Sequence, residues 1–198
     1  GANSVAGNTV LGESALDAAV TGGNNTAIGD FALTSLTSAT SNVAVGHFAL
    51  KNNTTGNTQV AIGDSALHSN STGLDNVAIG AYTLYSNTTA SNNVGVGRRV
   101  LFANTTGAQN VAVGYGALDA NTTANNNVAV GFNSLTNNTT GTRNVGLGMQ
   151  TCRDTTTGNS NTALGHDCLK KNTTADDNTA VGAYSLDANT TGANNTGL

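Results

Sequence analysis

The chain has no proline, no tryptophan, 9% charged residues, 4% aromatic residues and two cysteines in 198 positions. Each shortage excludes something. Seven Lys+Arg spread along the chain make no basic stripe to neutralise phosphates, so nucleic acid is not an expected partner. No apolar run reaches membrane-spanning length, and the first residues lack the basic-then-apolar pattern of a signal peptide, so this segment is not expected to insert into a membrane. Asn, Thr, Gly and Ala fill most of the remainder, a composition that looks like a disordered polar tract until its order is noticed.

That order is a period of 17 residues. Glycines close a short apolar run at Gly12, Gly29, Gly46, Gly63, Gly80, Gly97, Gly114, Gly131, Gly148, Gly165 and Gly182, with no insertion or deletion. With this glycine as position zero, −4 is Asn except at Gln59, −3 is Val or Thr, −2 is a small residue apart from Val10, and −1 is Val, Ile or Leu. The run is too short for a helix, and its β-branched content with a closing glycine predicts a strand. Leu recurs at +4, with Cys152 the one replacement, and an Asn-Thr-Thr turn follows, as in Asn104-Thr105-Thr106-Gly107. The unit therefore reads as strand, turn, short strand, turn. A helical solenoid competes poorly, since the common helical repeats need about 33 residues or more and a glycine in every unit would break the helices.

A unit of this size cannot bury its own apolar face, whereas stacking on identical neighbours turns each column into a ladder. The expected fold is all-β, a parallel β-solenoid of about eleven coils forming one domain over residues 1–198. At roughly 4.8 Å per strand this is a rod on the order of 55 Å long. The repeat is cut at both ends, so the chain is expected to be a segment of a longer fibre.

Position −4 keeps a carboxamide even where Asn gives way to Gln, which predicts a hydrogen-bonded amide ladder through Asn25, Asn42, Gln59, Asn76, Asn93, Asn110, Asn127, Asn144, Asn161 and Asn178. Position +10 is Gly or Ala; because Ala is costly at positive φ, lack of space explains the restriction better than backbone conformation. The strand is apolar on both faces, Val and Ile on one and Ala on the other. Such strands are normally covered on both sides. One face would line the coil's thin interior and the other would meet neighbouring protomers.

The units Asn25-Thr26-Ala27-Ile28-Gly29 and Asn76-Val77-Ala78-Ile79-Gly80, joined to Ala-Leu and Asn-Thr-Thr-Gly, resemble the head repeats of trimeric autotransporter adhesins. They resemble still more a longer-period version found in viral and phage fibres and bacterial surface proteins. The resemblance implies a left-handed parallel β-roll, three chains about one axis, and exposure outside a cell or on a virion for attachment to a host-cell receptor or glycan. The repeat departs from that of bacterial adhesins in its longer coil, and within these residues no neck, stalk or membrane anchor is expected.

Candidate chemistry is sparse. Cys152 at +4 and Cys168 at +3 of the next coil are near enough to be candidates for a disulfide, while the bland alternative is two small buried hydrophobes. His47, His68 and His166 are too scattered for a metal site within one chain, and no cofactor is expected. No nucleophile, base and acid share columns that would bring them together, so an enzyme is not expected. Eight copies of Asn at +7 followed by Thr or Ser and then Thr match glycosylation acceptors but read equally as a duplicated turn. If the segment binds a ligand, the variable columns +1, +2 and +5 should do it: Tyr82, Tyr85, Arg98, Arg99, Phe102 and Tyr115 cluster there, with Phe132 one coil on. The sequence thus points to a non-enzymatic fibre or adhesin segment, with a purely structural rod as the alternative. Ice binding through ranks of threonine is a weaker third, because adjacent threonines on a strand would face opposite ways.

Overall fold

Three β-forming residues per coil leave room for one short strand, and the chain repeats that strand with one spacing. The computed structural model describes residues 5–198. Twelve strands, β1 (Thr9–Leu11) through β7 (Val111–Val113) to β12 (Thr196–Gly197), pair in chain order in one parallel sheet. Every partner lies 17 residues on, as in Val94↔Val111 and Val111↔Val128. Among the described residues there is no helix. The architecture is an all-β parallel solenoid of about eleven turns.

The expected second short strand is not formed. Residues +1 to +6 are turns because two of them take a left-handed conformation: +2, as in Phe31 (φ 56) and Tyr82 (φ 58), and +4, as in Leu33 (φ 52) and Leu118 (φ 52). Such backbone costs a non-glycine residue about 1–2 kcal/mol. It is retained at +4 because it turns leucine inward while its amide still reaches the next coil; Leu118 donates to the Ser134 carbonyl at 3.1 Å and is fully buried. A further left-handed residue at +12, such as Asn126 (φ 62), swings the chain back into the next strand.

The interior is thin and built from three columns: Ala at −2, a small residue at +3 and Leu at +4. Volume is balanced between the first two. Where +3 carries the larger Thr83 and Val100, the strand residue between them is Gly95, and a β-carbon there would stand 2.6 Å from Thr83 Cγ2. Gly146 sits likewise between Ser134 and Thr151, whose hydroxyls lie 2.8 Å apart.

The −4 amides cross this interior. Asn110 Nδ2 donates to the Ala124 carbonyl at 2.9 Å and to Asn93 Oδ1 at 3.2 Å, and its own Oδ1 accepts the backbone N–H of Asn127 at 3.0 Å. Gln59 keeps the pattern, donating to the Gly73 carbonyl and accepting from the Asn76 N–H at 3.2 Å. The +7 asparagines form a second buried column: Asn121 Nδ2 reaches Asn104 Oδ1 at 2.8 Å and the same Ala124 carbonyl at 3.2 Å. Both amide columns therefore converge on the +10 carbonyl. Space there is short, since a β-carbon on Gly158 would stand 2.5 Å from the Ala175 carbonyl oxygen, without any positive φ. Position zero is constrained twice, by φ 119 at Gly114 and by the Gly131 carbonyl 2.6 Å from where a β-carbon would sit.

The outer face of the sheet holds the −3 and −1 side chains. Alanine at −2 is buried, but Ile62, Ile79 and Val130 each remain 38% exposed and Leu147 37%. The −1 row is aliphatic along the whole rod, and the −3 row is valine from Val43 to Val145 with threonine at Thr9, Thr26, Thr162 and Thr179.

Candidate ligand-binding face

The variable columns follow the sheet directly, so the left-handed +2 residue and the +5 residue project outward from the turn, one set per coil. At +5 the order Lys51, His68, Tyr85, Phe102, Asp119 produces a stack. His68 and Tyr85 lie 4.9 Å apart with planes 12° apart, and Tyr85 and Phe102 5.3 Å apart at 14°. Cations close the cluster at both ends. Lys51 Nζ lies 4.4 Å from the Phe48 ring, and the Arg99 guanidinium lies 4.3 Å from Phe102 while it holds both oxygens of Asp119 at 3.2 and 3.0 Å. Burial and, secondarily, the Lys51 charge push the His68 pKa below its ordinary value.

Tyr82 stands beside this stack, 6.0 Å from Tyr85. Its hydroxyl is hydrogen-bonded to Asp64, which raises its pKa, and Asp64 also meets His47 Nδ1 at 3.0 Å. The Arg98 guanidinium lies 6.0 Å from the ring of Tyr115, which stacks in turn on Phe132 at 5.5 Å. Tyr82, Tyr85, Arg98, Arg99 and Phe102 line a single open depression of about 400 Å³. Tyr115 is not among the lining residues; it lies one coil beyond, under Arg98. The sequence reading passed over Asp64, Asp119 and His68 as members of this face. Their signal was present, since all three occupy the same +1 and +5 columns. The chain matches no family model, no curated protein and no solved structure.

The other candidates fall elsewhere. Cys152 and Cys168 are free thiols, so the disulfide considered above is absent. Cys168 Sγ is turned to the Ala180 carbonyl at 3.2 Å, and Cys152 fills a leucine place in the left-handed +4 conformation (φ 47). Burial, helped by the neighbouring Cys168, pushes the Cys152 thiol up to about 12. Seven of the eight glycosylation-like asparagines are closed off: Asn53, Asn70, Asn87, Asn104, Asn121, Asn138 and Asn172 are fully buried, and only Asn189 in the last coil is partly open. Their motif is a turn. Among the described residues no three His, Cys, Asp or Glu gather into a metal-binding group; His166 sits with Asp167 at 3.7 Å, far from the other histidines in sequence and in the stack.

The threonines also differ from expectation. The +8 and +9 residues lie in a turn, so they do not face opposite ways across a strand. The +8 hydroxyls are used between coils, as from Thr105 Oγ1 to the Thr122 carbonyl at 3.1 Å. The +9 residues, including Thr106 and Thr123, are exposed.

Proposed function

We propose that this chain is a rod segment of a non-enzymatic fibre or adhesin exposed outside a cell or on a virion, assembled as a homotrimer, which spaces and presents an attachment face to a receptor or glycan. The observation that carries this reading is the outer sheet face. Both rows are aliphatic over seven coils, from Val43 to Leu147, a strip about 10 Å wide and on the order of 30 Å long, within the size range of the apolar patches that often mark interaction sites. It recurs in one register from coil to coil, which suits repeated packing against copies of itself. The variable columns lie on the turns that flank the sheet, which leaves them free to differ from coil to coil without disturbing the stack.

Analytical ultracentrifugation tests the assembly. A species of three times the 19.6 kDa chain mass is expected at micromolar concentration. Placing lysine at both Ile79 and Val130 should shift it to smaller species while the β-rich circular dichroism persists. A well-folded monomer from the unaltered chain would overturn the trimer. The exposed +9 threonine row supports a second reading, ice binding, although one rank of free hydroxyls makes a narrow plane; thermal hysteresis separates the two.

A further inference from the structure

Arg98 and Arg99 are neighbours in sequence with different surroundings. Arg99 is neutralised by Asp119 and lies over Phe102. Arg98 is exposed, and among the described residues no carboxylate lies within ion-pair distance of it. The aromatic surfaces divide in the same way. Tyr85 turns one face to His68 and the other to Phe102, whose far face is covered by Arg99. Tyr82, 36% exposed in the coil below Arg98, and Tyr115, 43% exposed in the coil above, keep accessible ring surface. The depression thus offers one unneutralised guanidinium beside the Tyr82 ring, with Tyr115 just beyond its edge, over a floor whose remaining charges are already paired.

We propose that this depression binds a carboxylated sugar residue, with the carboxylate on the Arg98 guanidinium and the apolar face of the sugar ring on Tyr82. A guanidinium presents two parallel donors that fit the two oxygens of a carboxylate. One free cation matches one negative charge. A phosphate dianion suits the place less well, because Asp64 at Tyr82 and Asp119 at Arg99 put two carboxylates beside it. A volume of about 400 Å³ lies toward the lower end of small-molecule sites and suits one or two sugar rings. Binding by a single open site is weak, and several copies on one assembly raise the overall affinity through effective concentration. The inference deepens the attachment reading and rests on it for the setting of the ligand, though not on the number of chains.

The test is a titration of the full chain, followed by ligand-observed NMR, with a glucuronate disaccharide, with sialyllactose, and with the carboxyl-reduced form of each. At least one acidic sugar should bind roughly tenfold more tightly than its neutral form, and which one does identifies the source of the carboxylate. Arg98→Gln should remove that preference, Arg98→Lys should keep part of it, and Lys171→Gln, a charge change far along the rod, should leave it intact. Sedimentation of Arg98→Gln should give the parent mass. Equal binding of acidic and neutral sugars, no millimolar binding of either acid, or an unchanged preference in Arg98→Gln would each overturn the proposal. A changed mass in Arg98→Gln would also overturn it, by assigning the arginine to contacts between chains; a monomeric parent that still prefers the acidic sugar would leave this site standing and remove only the trimer.

Discussion

Two buried amide columns run through the same rod, and they tolerate replacement differently. The −4 column carries a carboxamide in every coil, whereas the +7 column is interrupted by Ala19, Leu36 and Thr155. The difference lies in what each oxygen accepts. A −4 oxygen takes the backbone N–H of the next coil, as Asn93 Oδ1 takes that of Asn110 at 3.0 Å, so its loss would orphan a main-chain donor in another coil. A +7 amide closes its own turn onto the +10 carbonyl, meets another side chain, and at Asn53 accepts the Gly56 N–H of that same turn, never a main-chain donor of another coil. Its loss leaves the backbone ladder intact. The cost is visible at Thr155, where Asn138 Oδ1 is left buried without a partner and the Thr155 hydroxyl has only the Cys152 thiol to turn to.

The comparison is broken most directly by equalising the columns. Asn110→Leu orphans the Asn127 N–H and removes the donations to the Ala124 carbonyl and Asn93 Oδ1, and should lower stability by about 3–5 kcal/mol, at roughly 1–3 kcal/mol for the orphaned donor and about 1 kcal/mol for each donation lost. Asn110→Gln, which copies Gln59, should lose far less. Urea melts giving the same midpoint for both variants would show that an amide is not what the column requires. Asn121→Leu in the second column should cost about 1–3 kcal/mol, and a loss matching that of Asn110→Leu would erase the distinction drawn here.

The coil around Thr155 sharpens the contrast, because Cys152 also replaces leucine there. An unfolded thiol ionises near pH 8.5, whereas the folded Cys152 thiol is held up to about 12. The raised folded value means that its contribution is complete below the unfolded pKa and falls as pH rises through that window. The fall should be about 1.4 kcal/mol per pH unit above roughly pH 9. Comparing alkaline melts of the parent and Cys152→Leu isolates it, since the leucine variant should keep only the part of the slope that comes from Cys168, whose thiol burial also pushes up. Parallel profiles would show that the thiol is solvated. The smallest effect expected is a gain: Thr155→Asn should restore a donor to Asn138 Oδ1 and raise the melting midpoint by an amount corresponding to about 1 kcal/mol. A loss would mean that the coil has repacked around threonine.

Much of this arrangement was legible in the sequence, for reasons that particular residues make plain. Gln59 showed that an amide, not asparagine's turn tendency, was being kept at −4. Ala39, Ala90, Ala124 and Ala175 showed that +10 lacked space and not conformational freedom. Val43 and Val45 around Ala44 showed a strand with two apolar faces, and the structure turns the valines outward. The left-handed leucine at +4 was not legible, because leucine's own preference opposes it and stacking imposes it. Nor was the burial of Asn104 or Asn121, since Asn-Thr-Thr has a sufficient local reading as a turn. Only closure of the coil shows that the same amide shares a carbonyl with the −4 column. At the candidate ligand face the columns brought the aromatics together, but which arginine stays free depended on Asp119 standing one coil above Phe102.

The 17-residue spacing between hydrogen-bonded neighbours also sets how the rod would respond to load. Each coil advances the axis by roughly 4.8 Å yet stores on the order of 58 Å of extended chain at about 3.4 Å per residue. Tension applied between the chain ends would peel terminal coils one at a time, each release breaking one tier of backbone and amide bonds. The force trace should be a sawtooth of nearly even steps, about 50 Å apart. A stiff spacer under small forces thereby becomes, beyond its yield point, a tether able to lengthen about tenfold before it parts.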